Sequence, residues 1–107
     1  MSKDRLKMIE DMLSKNPTDT FLNYAAALEC KKFGKVDRAQ KLLENVKEID
    51  KKYLAVYFQL GKIYEEKGEP KKAIDIYKEG IKIAKELDDG KTQGELAEAL
   101  LMLDEDW

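Results

Sequence analysis

Apolar residues recur along this chain at helical rather than strand spacing. Leu6, Ile9, Met12 and Leu13 fall three and four apart or adjacent, which predicts a helix over residues 3–15 with one apolar face. Asn16-Pro17-Thr18-Asp19 ends it and offers a cap to the next helix. Residues 20–33 carry two stripes, Leu22, Ala26, Cys30 and Phe33 on one side and Phe21, Tyr24 and Leu28 on another. Such a helix is either covered on both sides or keeps one side for a ligand. Helices are predicted next over residues 36–49, with Val36, Ala39, Leu42, Leu43, Val46 and Ile49 inward, and over 53–67, with Leu54, Tyr57, Phe58, Leu60, Gly61, Ile63 and Tyr64. Residues 70–87 follow with Ala73, Ile74, Ile76, Tyr77, Ile81, Ala84 and Leu87, Pro70 standing in the first turn where its missing N–H costs nothing. Asp88-Asp89-Gly90 breaks that helix, and a last one over residues 91–104 carries Leu96, Ala97, Leu100, Leu101 and Leu103.

The pattern repeats. Gly34-Lys35-Val36-Asp37-Arg38-Ala39 returns as Gly68-Glu69-Pro70-Lys71-Lys72-Ala73, 34 residues on, and a fixed period of that length marks a stack of helical hairpins. Such a stack exposes a long concave surface, which points to binding another polypeptide and away from catalysis.

Composition fits solvated helices. The chain has 107 residues, 43% of them hydrophobic and 39% charged, enough apolar material for the core of one domain. A net charge of −2 gives no global field to gather nucleic acid or an anionic membrane, and Lys31-Lys32-Phe33 with Lys35 is too short a basic stripe for nucleic acid. The halves differ in sign: residues 1–52 carry 12 Lys+Arg against 9 Asp+Glu, and residues 53–107 carry 8 against 13. The lone Cys30 has no partner for a disulfide and there is no His, so a reducing, cytoplasmic setting and no bound metal are expected. No apolar run has the length of a membrane span or the form of a secretory leader.

Residues 54–87 resemble the tetratricopeptide repeat, through Tyr57, Leu60-Gly61, Tyr64, Ala73, Tyr77 and Gly80, with Gly68 at the turn. Residues 20–53 match more weakly through Asn23, Ala26-Ala27, Cys30, Gly34, Ala39, Leu43 and Val46, keeping the small residues and losing two aromatics. The resemblance, which extends to small free-standing bacterial members, implies an all-α, right-handed superhelical stack of antiparallel hairpins with about six helices. Residues 1–107 then form a single domain: a half-repeat helix over 3–15, repeats over 20–53 and 54–87, and a capping helix over 91–104.

In that family the first helix of each hairpin lines the groove that receives a peptide or helix. Carried over slot by slot, the resemblance places Tyr24, Leu28 and Lys31 in the groove from one helix and Phe58, Gln59, Lys62 and Glu65 from the next. Tyr24, Leu28 and Phe58 are either groove contacts or ordinary core, and Lys31 and Lys62 offer attraction to an acidic partner segment. Tyr24, Leu28 and Gln59 stand where some members hold a carboxylate with Lys and Asn, so no such clamp is expected. The resulting expectation is a non-catalytic protein-interaction module without cofactor, with homodimerisation through the groove or the terminal helix as the alternative. No nucleophile with a positioned base and no phosphate-binding glycine loop supports an enzyme. The acidic pairs Glu65-Glu66, Asp88-Asp89 and Asp104-Glu105 read as caps and solubilising charge, and Trp107 ends an acidic tail as either a frayed end or an apolar group for docking on a neighbour.

Overall fold

The computed structural model describes residues 2–104, so that Glu105 and Trp107 lie outside the described residues. Six α-helices follow one another: α1 (Ser2–Lys15), α2 (Thr20–Lys32), α3 (Val36–Ile49), α4 (Ala55–Glu66), α5 (Pro70–Glu86) and α6 (Gly90–Asp104). There is no strand among the described residues, and the fold is all-α. The chain divides between Asp50 and Lys51 into two compact units. In the first, α2 packs on α1 and on α3; in the second, α5 packs on α4 and on α6.

The connections show why the helices stop where they do. Gly34 and Gly68 adopt φ of 75° and 72°, the left-handed conformation that a residue without Cβ reaches at no steric cost. Each lets the following N–H turn back over the helix end: Lys35 N–H donates to the Cys30 carbonyl and Glu69 N–H to the Tyr64 carbonyl, both at 2.8 Å. The same motif ends α5, where Asp89 N–H donates to the Ala84 carbonyl at 2.9 Å. There the left-handed residue is Asp88, with φ of 57°, and Gly90 instead begins α6.

Two helix starts, those of α2 and α6, are capped by side chains, whereas α3, α4 and α5 have no such cap. Asp19 Oδ1 accepts the Leu22 N–H at 2.9 Å at the head of α2. Asp89 does the same for α6, with Oδ1 on the Thr92 N–H at 3.0 Å and Oδ2 accepting from Thr92 Oγ1 at 2.9 Å. These two bonds, the backbone one foremost, hold the Asp89 carboxyl below its ordinary value. The α4 helix starts later than its apolar pattern begins, because Tyr53 and Leu54 form a turn whose carbonyls accept from the Val56 and Tyr57 N–H groups.

Most of the anticipated inward residues are buried, including Leu6 and Leu13 on α1, Leu42, Leu43 and Val46 on α3, and Leu60 and Ile63 on α4. Cys30 is fully buried, and that burial pushes its thiol up. Met12, Ile49, Leu87 and Leu101 are exposed instead, and Val56 and Ala99 join the core. The α1 helix is tied by ions: Arg5 Nε meets Glu29 Oε1 at 3.2 Å, while Glu29 Oε2 is buried without a hydrogen-bond partner.

Small residues set the helix spacing in the second unit. A Cβ on Gly61 would lie within the Tyr77 ring, so α4 meets α5 closer than any other residue permits. Tyr77 is fully buried and its hydroxyl donates to Glu65 Oε2, which leaves the ring nowhere to move. A Cβ on Gly80 would come 2.6 Å from Tyr57 Cβ and 2.8 Å from Leu96 Cδ1, making Gly80 the point where α4, α5 and α6 converge.

Three outcomes follow from this geometry. Gly61→Ala overpacks the α4–α5 contact and lowers stability by about 1–3 kcal/mol, seen as a lower urea midpoint at unchanged slope. Asp88→Gly relieves the left-handed carboxylate residue and raises the midpoint by the equivalent of about 0.5–1 kcal/mol. Because the folded-state value of Asp89 lies below the unfolded one, its contribution is present above the unfolded value near 4 and disappears as pH falls through the folded one. Asp89→Asn keeps the cap and removes the titration, so the acid limb of stability against pH becomes shallower in urea melts at stepped pH.

Candidate functional site

The repeat unit reuses its slots with different chemistry. Tyr57, fully buried, donates its hydroxyl to the Lys51 carbonyl at 2.6 Å and so ties the chain entering α4 to the helix itself. Thirty-four residues earlier Asn23 takes the same slot on α2, donating Nδ2 to the Pro17 carbonyl at 3.1 Å and to the Asp19 carbonyl at 2.8 Å. Position 17 corresponds to position 51, so the amide replaces the missing aromatic hydroxyl bond for bond. The cost is volume, since Asn fills less of the core than Tyr.

What the packing leaves in water differs between the two units. On α2, Phe21 is 66% exposed and Leu28 is 38% exposed, with Tyr24 and Lys31 partly buried on the same face. The second apolar stripe of α2 therefore stays largely uncovered. On α4, Phe58 is 37% exposed, its ring 6.5 Å from that of Tyr77. Lys62 Nζ stands 5.3 Å above the Phe58 ring and 3.7 Å from Glu65 Oε2. Glu65 also accepts the Tyr77 hydroxyl, and burial foremost, with that contact, drives the Tyr77 phenol far above its ordinary range.

Of the seven residues anticipated from slot position, Phe58, Lys62 and Glu65 thus form one cluster, with Gln59 partly buried beside them on α4. Tyr24, Leu28 and Lys31 share a face of α2 in the other unit. Leu28 and Phe58 are surface rather than core. The Lys62 ammonium is committed to Glu65 and to the Phe58 ring, so the cluster presents no uncompensated positive charge from that residue.

Each unit carries a concavity. In the first, a space of about 270 Å³ is lined by residues that include Leu13, Pro17, Asn23 and Leu42, with Glu10 and Arg38 at its edge. Arg38 Nη2 and Glu10 Oε1 meet at 2.9 Å, a bond that raises the guanidinium value further and cancels both charges. In the second, an open depression of about 320 Å³ is lined by Phe58 of α4 and by Glu95 and Glu98 of α6.

Glu95 and Glu98 escape a reading by fixed period. Counting 34 residues on from Leu60-Gly61 lands on Gly94-Glu95, yet the buried positions of α6 are Leu96 and Ala99, which stand where Leu60 and Ile63 stand on α4. The offset is 36: α5 spans 17 residues where α3 spans 14, and the connection from Glu86 to Gly90 is shorter than that from Ile49 to Ala55. Leu96-Ala97 is the true counterpart of Leu60-Gly61, and with that register Glu95 and Glu98 occupy the slots of Gln59 and Lys62. The Leu-Ala pair was the available signal.

A family description for the tetratricopeptide repeat matches residues 54–87. Solution and crystal structures of a tetratricopeptide repeat domain protein from Salinibacter ruber are similar to the chain at 39% and 38% identity, covering 81% and 80% of it and 88% and 96% of their own chains, with TM-scores of 0.78 and 0.76. The chain belongs to the tetratricopeptide repeat family. At 14% identity, where only the fold is shown, tetratricopeptide repeat architecture is shared with two further structures. The Yersinia enterocolitica type III secretion translocator chaperone SycD has a TM-score of 0.89, over 98% of this chain and 73% of its own. The TPR2B domain of yeast Sti1 has 0.88, over 99% and 85%. No curated protein matches. Among the described residues no helix is long and apolar enough to cross a membrane and no group of His, Cys, Asp and Glu is placed to hold a metal ion.

Proposed function

We propose that this tetratricopeptide repeat protein is a non-catalytic interaction module that takes a peptide or helix of a partner protein on the exposed faces of α2, α4 and α6, with residues 1–107 working as one domain. The observation that carries this reading is the exposure of Phe58, Leu28 and Phe21, large apolar side chains left in water on the first helix of each hairpin while the opposite faces are fully packed. The seven slot residues, Tyr24, Leu28, Lys31, Phe58, Gln59, Lys62 and Glu65, belong to these faces. The Sti1 domain was solved as a complex with pHsp70, which supports a protein ligand for this fold. Cys30, buried and with its thiol raised, is poorly suited to nucleophilic chemistry. A cytoplasmic setting, read from that lone thiol, belongs to the same proposal.

Self-association is the second reading, favoured by the opposite charge balance of the two halves of the sequence and by the exposed Met8 and Met12 on α1. Light scattering over a concentration series separates the two, since a module for foreign partners stays monomeric.

Phe58→Ala leaves the helical circular dichroism and the urea midpoint nearly unchanged and weakens a peptide selected on the wild-type protein by about tenfold, measured by titration calorimetry. A large fall in midpoint with unchanged affinity would return Phe58 to the core.

A further inference from the structure

Two carboxylates line the depression of the second unit. Glu95 and Glu98 lie one turn apart on α6, both exposed, and neither carboxylate has a hydrogen bond or ion pair among the described residues. Like charges at that spacing repel, and a cation placed between them relieves both. Facing them across the depression is the Phe58 ring, which already accepts an ammonium over its face, that of Lys62 at 5.3 Å. Lys62 does not oppose a second cation strongly, because Glu65 sits 3.7 Å from its nitrogen. The formal charge of Glu65, Lys62, Glu95 and Glu98 together is negative.

Apolar contact lies next to this charge. Leu101 and Met102, 59% and 65% exposed, follow Glu98 by three and four residues along α6, just beyond the lining of the depression, to which Phe58 contributes its own apolar surface. The volume, about 320 Å³, stands at the lower end of the range for ligand pockets, room for a long side chain rather than a whole folded element. The concavity of the first unit has no such character, since its Glu10 and Arg38 neutralise each other.

We propose that the α4–α6 depression is the seat of a cationic segment, a stretch of a partner protein that places a Lys or Arg between Glu95 and Glu98 and an apolar side chain against Phe58, Leu101 and Met102. The proposal rests on the interaction reading above and gives the partner its chemistry. It is the reverse of the attraction to acidic segments expected from Lys62, whose charge is spent within its own helix. The excess of acidic residues over residues 53–107, 13 against 8, steers such a segment towards this half of the chain.

A random-sequence peptide library displayed on phage and selected on the full chain provides the probes, and synthetic versions of the winners are mapped by amide and side-chain shifts in NMR spectra. Winners enriched in Lys and Arg, shifting Phe58, Glu95 and Glu98 and weakening as salt rises, support the assignment. Glu95→Lys with Glu98→Lys then lowers their affinity by at least about tenfold. Glu95→Gln with Glu98→Gln, which preserves size, gives a smaller loss in the same direction. Both pairs stay close to the wild-type urea midpoint, since neither side chain has a hydrogen bond or ion pair among the described residues and their mutual repulsion is small. Winners that are acidic or without charge bias yet shift Phe58 overturn the cationic seat and leave the interaction module standing. A selection that returns no peptide shifting α2, α4 or α6 overturns both. Shifts at Glu95 and Glu98 that grow with protein concentration in the absence of peptide overturn it in favour of a second copy as occupant.

Discussion

The second unit depends on a close approach that only glycine permits. Tyr77 of α5 lies where a side chain at position 61 of α4 would be, and Gly80 of α5 receives both Tyr57 and Leu96. The two tyrosines, with Leu96, fill the space that the glycines vacate, so packing is dense at the crossing. Their hydroxyls then need partners in a buried setting, and each finds one: the Lys51 carbonyl for Tyr57 and the Glu65 carboxylate for Tyr77. Core packing and the electrostatics of the surface are coupled through that last bond, because Glu65 is also the residue that pairs with Lys62.

The first unit solves the same problem with other groups. Asn23 replaces an aromatic and preserves the tie to the entering chain, and Ala26-Ala27 stands in the slots of Leu60-Gly61. Where the second unit buries Ile63 the first holds Glu29, largely buried and reached by Arg5 from α1. Taking a carboxylate out of water is costly unless its oxygens are bonded, and only one of the two is. The α1 contact is therefore held by a polar interaction of modest worth beside the apolar packing of Leu6 and Leu13.

Charge is distributed by the same logic of commitment. Glu10 with Arg38, Glu29 with Arg5 and Glu65 with Lys62 are internal pairs. Side chains so engaged offer little to a ligand, whatever their sign. Glu95 and Glu98, which have no hydrogen bond or ion pair among the described residues, are the carboxylates of the depression whose field reaches outward.

The amino-acid order alone determined the helices, their turns and their repeat. Apolar spacing of three and four, Gly34 and Gly68 past helix ends, and Asp19 before a helix are local signals, and local backbone sterics and hydrogen bonding act on them directly. The family slots, with small and aromatic residues alternating between facing helices, were legible for the same reason. Three things were decided only in three dimensions. The slip of α6 by two residues accompanies a longer α5 and a shorter connection after it, and it brought Glu95 and Glu98 beside Phe58 where a fixed count of 34 did not. The surface position of Phe58 and Leu28 came from what the neighbouring helices failed to cover, and a helical stripe cannot say whether it faces protein or water. The loss of Lys62 as a free cation followed from rotamers that meet Glu65 and a ring in space. Periodicity fixes which face a residue shares, whereas exposure and free charge depend on which other segments arrive at that face.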